Sequence, residues 1–296
     1  MKARILLIAA LFLAACQPVE DNNLIPDDVT PSNGKWTLTI PATKGDAGTK
    51  ALDLEGNVMS PYWTSSDKVQ VYKGGSFLCE IGVTLDSAAG DKPKTATLTG
   101  AFEGTLAVND QLTLLIPRTT WNYTGQKGTL TGTGSIEDTY DYATATVTVQ
   151  TREDNNFTTT AANFQNEQSI YRFTMNGLPS GASIQDFTIS SSNGGLVQQV
   201  AWGGNEAKTG SITVTPAGAA GPYFVALRNN STAADKYDFQ FIANVGTTTG
   251  ALFLASKSIP DAALAAPGKF LSATLTATQP DFSPASGEIS SSSAVL

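Results

Sequence analysis

The sequence contains no histidine. That removes the commonest general base and the commonest transition-metal ligand together. Cysteine is nearly as scarce, with Cys16 and Cys79 alone in 296 residues, so a zinc cluster is excluded and no metal or other cofactor is expected. Charged residues make up only 15%, and acids outnumber bases to leave a net charge of −8. Such a balance argues against nucleic acid and anionic membrane surfaces as partners. No helix-length stripe of period 3.6 stands out either. What remains abundant is Thr, Ser, Gly and Val, a composition that points to an all-β chain.

The N-terminus reads as an export signal. Lys2 and Arg4 precede an apolar run from Ile5 to Ala15, too short to span a bilayer. The run ends in Leu13-Ala14-Ala15-Cys16, which matches the bacterial lipobox, whose cysteine is acylated and becomes the first mature residue. Residues 1–15 are therefore expected to be a lipoprotein signal peptide, with the lipid on Cys16 anchoring the chain in the outer membrane. Residues 16–34 are Pro-rich, acidic and aperiodic, the pattern of a flexible tether. With Cys16 lipidated, Cys79 in "FLCEI" has no disulfide partner and is expected to be a small buried apolar residue.

The segment "KWTLTIPATKGDAGTKALDLEG" at 35–56 joins a strand to a loop. Trp36, Leu38 and Ile40 alternate with polar residues as in a half-buried strand over 35–40. Pro41, two glycines, Lys44 and Lys50 follow before the next apolar residues, Leu52 and Leu54. This is either an ordinary first strand with a flexible loop or a strand tied on by a cleavable one. Further alternating or apolar segments recur at intervals of about ten to fifteen residues. They are Lys68–Tyr72, Phe77–Val83, Thr95–Phe102, Gln111–Ile116 and Thr144–Gln150, then Ile170–Met175, Ala182–Ser190, Leu196–Trp202, Ser211–Val214, Tyr223–Leu227, Tyr237–Ala243, Ala251–Ala255 and Phe270–Ala277. That spacing suggests antiparallel sandwiches.

The length from Cys16 onward exceeds what one core usually holds, so two domains are expected, 35–162 and 163–279. The boundary is placed in the polar, aperiodic stretch at 151–168. The tail, 280–296, is rich in Ser and Pro, with Ile289, Val295 and Leu296 as its last apolar residues. It is either disordered or a strand that awaits a partner.

Candidate sites are few. Trp121, Tyr123, Tyr140 and Tyr142 put aromatics in polar loops, where they either stack on sugars or close the open end of a sandwich. Glu137, Asp138 and Asp141 could ligate calcium, but they lack the spacing and glycine of a calcium loop and read as an acidic turn. No pair of carboxylates is singled out for hydrolysis, and an enzyme is not expected. The glycines of "KGGSF" and "NGG" lie between strands and read as hairpin turns rather than a phosphate loop.

Several pieces in fixed order resemble the fimbrillins, subunits of the type V pili of Bacteroidales. They are the lipobox at Cys16, "TKALDLEG" at 49–56, and "WTSSDKVQVY" with Trp63, Asp67, Val69 and Tyr72. "YTGQKGTL" at 123–130, "DYATATV" at 141–147 and "NEQSIYRFTM" at 166–175 complete the set. The resemblance implies two transthyretin-like antiparallel β-sandwich domains in tandem. It also implies maturation by a trypsin-like protease, which cuts after a basic residue before "AL" and removes the lipidated N-terminus with the first strand. On this chain the cut falls between Lys50 and Ala51, with Lys44 as fallback, and the removed strand carries Trp36, Leu38 and Ile40. The family more often shows arginine there, so lysine fits a trypsin-like protease better than one restricted to arginine.

A neighbouring pilus subunit then supplies a strand to the vacated groove, with Ile289, Val295 and Leu296 of the tail as the possible donor. Implied partners are other subunits in a homo- or hetero-polymer, the maturation protease, and a host or bacterial surface ligand that supports adhesion. The implied location is an outer-membrane lipoprotein precursor and then a cell-surface fimbrium. The alternative reading is a monomeric surface lipoprotein that binds glycans, which needs an intact tether and an exposed aromatic platform.

Overall fold

The computed structural model describes residues 34–44, 52–56, 58–86, 90–117, 119–180, 183–191, 195–204, 206–216, 221–228, 237–246, 251–259 and 267–278. Strand dominates them, and the one helical element among the described residues is a π-turn, Ile136–Tyr140. In chain order the strands are β1 Trp36–Lys44, β2 Leu52–Glu55, β3 Val58–Pro61, β4 Lys68–Lys73, β5 Ser76–Leu85, β6 Thr95–Phe102 and β7 Gln111–Ile116. Next come β8 Thr120–Asn122, β9 Ala143–Glu153, β10 Asn156–Thr159, β11 Ala162–Asn166, β12 Ser169–Asn176, β13 Ser183–Ser191 and β14 Leu196–Ala201. The last are β15 Glu206–Thr209, β16 Ser211–Val214, β17 Tyr223–Leu227, β18 Tyr237–Gly246, β19 Ala251–Ile259 and β20 Phe270–Thr276. Each segment expected as alternating or apolar contains a strand, the alternating ones burying one face and Tyr223–Leu227 buried at every residue.

The first half is a closed ring. Strands pair in the order β1, β11, β9, β7, β4, β5, β6 and back to β1, with β10 bridging β1 and β9 beside β11. Inward-facing Leu38, Ile40, Val69, Val71, Ile81, Leu98, Leu112, Leu114 and Val147 are all essentially buried and fill the interior. Cys79 lies in the same core at 6% exposure, and burial pushes its thiol up to about 11. Gly74 and Gly75, at φ +54 and +87, make the two-residue turn from β4 to β5 that the sequence suggested.

The expectation of two antiparallel sandwiches is therefore corrected for this half. It is a seven-strand barrel, and β1 runs parallel to β10 and β11. Alternation identifies a buried face but not whether two sheet edges meet. Here they meet through β1, which pairs antiparallel with eight residues of β6 on its other side. The boundary expected after residue 162 falls inside β11, whose residues pair with β1 and β9 of the ring and whose Phe164 lies in the ring core.

The second half gathers small sheets around a separate core. One sheet is β17-β12-β20, another β16-β13-β18-β19, and a third β15-β14-β8. Buried Ile170, Tyr171, Phe173, Phe187, Ile189, Val214, Val225 and Leu227 belong to one cluster, and the Phe187 and Tyr223 rings meet at 5.3 Å. β20 runs parallel to β12, in register from Ile170 opposite Phe270 to Asn176 opposite Thr276.

The segment between β7 and β9 leaves the ring to serve this second core. β8 pairs with β14, and Trp121, Tyr123, Ile136, Tyr140 and Tyr142 join the cluster. Gln126, 1% exposed, fixes the segment in place: its side-chain amide donates to the carbonyls of Tyr123 and Ala226 at 2.9 and 2.7 Å, and its side-chain carbonyl accepts from the Ala226 N–H at 2.8 Å.

Gly100 shows how closely the ring is packed. It sits on β6 opposite Leu38 of β1, and a Cβ there would stand 2.5 Å from Ile81 Cγ2. Only a residue with no side chain lets β5 and β6 approach so near. Gly100→Ala should lower stability by about 1–3 kcal/mol through overpacking. Urea denaturation would measure the loss, and alkylation of Cys79 at pH 8, negligible in the native ring, should speed up in the variant.

Candidate functional site: the slot that holds β1

Trp36, Leu38 and Ile40 were expected to fill a groove, and the alternation runs further than the expected 35–40. Leu38 and Ile40 are fully buried, Ala42 and Lys44 are nearly so, and Trp36 is half-buried. The Trp36 ring meets Phe157 edge-on at 5.4 Å, under the Arg152 guanidinium at 4.4 Å. Threonines hold the polar face: Thr39 Oγ1 donates to Asn156 Oδ1 at 3.0 Å and Thr43 Oγ1 to the Ala162 carbonyl at 3.4 Å.

The backbone pairing on this side has a step in it. Thr37–Thr39 pair with Asn156–Thr158, and Ala42–Lys44 with Ala162–Phe164. One more residue intervenes on the β10–β11 side than on β1. Pro41, which has no N–H to donate, falls in the gap and is exposed. A proline that would break a continuous central ladder is thereby accommodated.

Lys44 corrects the fallback cleavage site. It lies in β1, not in a loop, and its side chain is 0% exposed. Nζ stands 3.0 Å from Asp67 Oδ2, also donates to the Tyr62 carbonyl, and lies 4.4 Å above the Trp63 ring. Asp67 is held independently of β1: Oδ1 accepts from the Thr64 hydroxyl at 2.8 Å and Oδ2 from the Thr64 N–H at 3.1 Å. A buried lysine inside a strand is a poor protease substrate, because cleavage needs an exposed, extended backbone.

The other expected sites divide. Cys16, the signal and tether, the bond between Lys50 and Ala51, and Ile289, Val295 and Leu296 lie outside the described residues. Trp121, Tyr123, Tyr140 and Tyr142 are described and are buried at 3%, 0%, 6% and 1%. They cannot be a sugar platform. Their rings pack on one another, Trp121 on Tyr142 at 6.0 Å and Tyr123 on Tyr142 at 5.4 Å, while Tyr140 donates to the Thr124 carbonyl and Tyr142 to that of Asn122.

The three acids are likewise occupied by the fold. Asp141 is buried and accepts from Gln168 at 3.0 Å, Asp138 accepts from the Gly134 N–H at 2.9 Å, and burial raises the Glu137 carboxyl above its ordinary value. No cluster of His, Cys, Asp or Glu suited to a metal ion occurs among the described residues. Phe270–Ala277, the other segment considered as a donor, is paired within its own chain through β20, and Leu275 and Ala277 are buried.

An open cleft of about 810 Å³ lies between the halves, lined by Thr113, Trp121, Thr146, Trp202, Lys208 and Arg228 among others. The Arg228 guanidinium is already bound by Glu167 and, at 2.9 Å, by Glu206, over the Trp121 ring. Its Nε and Nη1 donors are taken by those carboxylates and the Glu167 carbonyl.

These features define the class: an all-β chain with a barrel-like first half closed by its N-terminal strand and a second core behind it. The chain is similar to several solved structures of proteins named for cell adhesion or fimbriae. One is a candidate cell adhesion protein from Bacteroides eggerthii, at 13% identity, with 90% of this chain and 95% of that one covered and a TM-score of 0.43. A fimbrial assembly protein from Parabacteroides distasonis gives 10% identity, 81% and 91% coverage and a TM-score of 0.39. The tip fimbrial protein Mfa3 from Porphyromonas gingivalis, with a C-terminal truncation, gives 10%, 76% and 81%, and 0.34. Likeness at this level carries no weight for function. No protein-family model and no curated protein matches the chain.

The Lys44–Asp67 pair was missed in the sequence, although its signal is visible: Ala42 and Lys44 continue the phase of Leu38 and Ile40 beyond Pro41. Lys44→Met should cost about 3–5 kcal/mol by leaving the Asp67 carboxylate buried without its cation. Adding Asp67→Asn to it should recover much of that loss. Urea denaturation of the two single variants and the double variant would measure the coupling, and additive losses would show that the pair does not act as a unit.

Proposed function

We propose that this chain is a structural subunit of a cell-surface fimbrium of the type V kind, which polymerises by strand exchange at the slot that holds β1. The reading is carried by one observation: a single strand, next to the chain's N-terminal segment, closes the ring by pairing on both sides. Taking it out would unpair the edges of β6, β10 and β11 and uncover the sites of Leu38 and Ile40. Each such side chain contributes about 1.5–3 kcal/mol. A vacated slot of this kind invites another chain's strand, which supplies main-chain hydrogen bonds and alternate side chains together.

In this reading the precursor is exported as a lipoprotein through Cys16 and sits on the outer membrane. A trypsin-like protease cuts between Lys50 and Ala51, Trp36–Lys44 depart with the lipid, and a neighbouring subunit fills the slot. The assembled fimbrium supports adhesion. No catalysis is assigned. The glycan-binding alternative loses its platform, since the four loop aromatics it needed are buried.

Brief trypsin treatment of the folded precursor should yield a chain that begins at Ala51 and is otherwise resistant. Size-exclusion chromatography should show the precursor as a monomer, and the cut form should exchange its β1 fragment for an added strand of the same pattern. A cut form that keeps its β1 fragment against an excess of added residues 35–44 would sink the exchange reading.

Leu38→Asp should destabilise the precursor by at least about 3 kcal/mol, because it buries a charge without a partner. Freed of β1, the cut variant should bind a peptide of residues 35–44 as the wild-type cut form does, since residue 38 has left by then. Equal stability of the two precursors would mean that β1 fills no groove.

A further inference from the structure

The inner wall of the β1 slot is apolar along most of its length but not at its end. Leu38, Ile40 and Ala42 lie on the apolar part, and Lys44 then meets the Asp67 carboxylate. Asp67 is fixed by its own turn: besides the two bonds from Thr64, its N–H donates to the Thr64 carbonyl at 3.1 Å. The carboxylate therefore stays in the slot whichever strand occupies it. In an open slot water can solvate it. A strand that closes the slot without a cation would bury it beside Trp63 with no counter-charge, which is the costly way to break a buried pair.

We propose that the slot is selective for charge: it accepts a strand of alternating apolar residues that ends in a lysine or arginine at the Lys44 position. Its natural occupant is then a partner chain of that pattern, rather than residues 280–296 of a second copy of this one. The inference rests on the strand-exchange reading and deepens it by specifying the partner's chemistry. Residues 280–296 contain Asp281 and Glu288 and no Lys or Arg. Laid along the slot in phase, Ile289 is followed by Ser291 and Ser293, with Val295 at the place of the cation. That tail fails on both counts, since serine fills the apolar pockets and nothing neutralises Asp67. Selectivity of this kind would order subunits, because a uniform polymer would lack a matching strand at each junction.

The test uses the full chain nicked by trypsin, with its β1 fragment free to exchange, and four fluorescent peptides. One has the sequence of residues 35–44, the second is the same with Lys44→Met, the third has the sequence of 280–296, and the fourth is the first with Lys44→Arg. Fluorescence anisotropy at pH 7 should show the first binding at least about 30-fold more tightly than the second. The third should fail to enter, and a Lys44→Arg peptide should keep most of the affinity. On a nicked Asp67→Asn chain the gap between the lysine and methionine peptides should close. Equal binding of those two peptides to the unsubstituted chain, or entry of the 280–296 peptide, would overturn charge selectivity and leave strand exchange standing. If not even the 35–44 peptide enters, strand exchange fails and this inference fails with it.

Discussion

The ring of the first half depends on one strand having two sets of partners. β6 and β11 are far apart in sequence, and in the ring each pairs with β1 rather than with the other. By pairing with both, β1 converts an open sheet with two exposed edges into a closed one. Closure matters because an unpaired edge leaves a row of N–H and C=O groups that must find a partner. The same strand also fills the interior with Leu38 and Ile40, so hydrogen bonding and burial are lost or kept together. A strand placed mid-chain would be locked in by its connections. This one is adjoined on one side by the N-terminal segment and on the other by a stretch of Gly, Asp and Thr between two lysines.

The second half relates to the ring through a borrowed segment. Residues 119–142 leave the ring after β7 and return at β9, and in between they contribute a strand to β14 and four aromatics to the other core. The Gln126 side chain completes the join by hydrogen-bonding both backbone groups of Ala226. The two halves are therefore not beads on a linker. A change at the Trp121–Tyr142 stack acts on both, since the backbone that carries it begins and ends in the ring.

Most strands were legible in the sequence because they alternate or run apolar between turn residues, and Cys79 was legible as a buried apolar residue because it has no disulfide partner. The least legible stretch was 151–168, which looks polar and without period. It holds β10 and β11, the parallel partners of β1. Phe157 and Thr159 point inward, and so do Ala162 and Phe164, but an extra residue between the pairs shifts the phase. A search for unbroken period two passes over such a stretch. The four loop aromatics misled in the opposite sense. Their polar sequence neighbours suggest exposure, yet the rings turn toward a core assembled largely from residues of the second half, and even Asp141 between two of them is buried. The Lys44–Asp67 pair was hidden by the assumption that a lysine next to glycines belongs to a loop.

The step in pairing beside Pro41 acts as a ruler. An unbroken strand meets both β10 and β11 because the extra residue lies on their side, and it does so in the register that places Pro41 beside that residue. Sliding such a strand by two residues preserves which side chains face inward, the usual way that registers slip. Here the slip would also carry a backbone N–H into the gap that Pro41 leaves silent, and would move an amide-less proline onto a rung that needs its donor. The fold thus discriminates among positions along the strand that a regular sheet would treat as equivalent. Length and offset are read by the backbone alone, before any side chain has been tested.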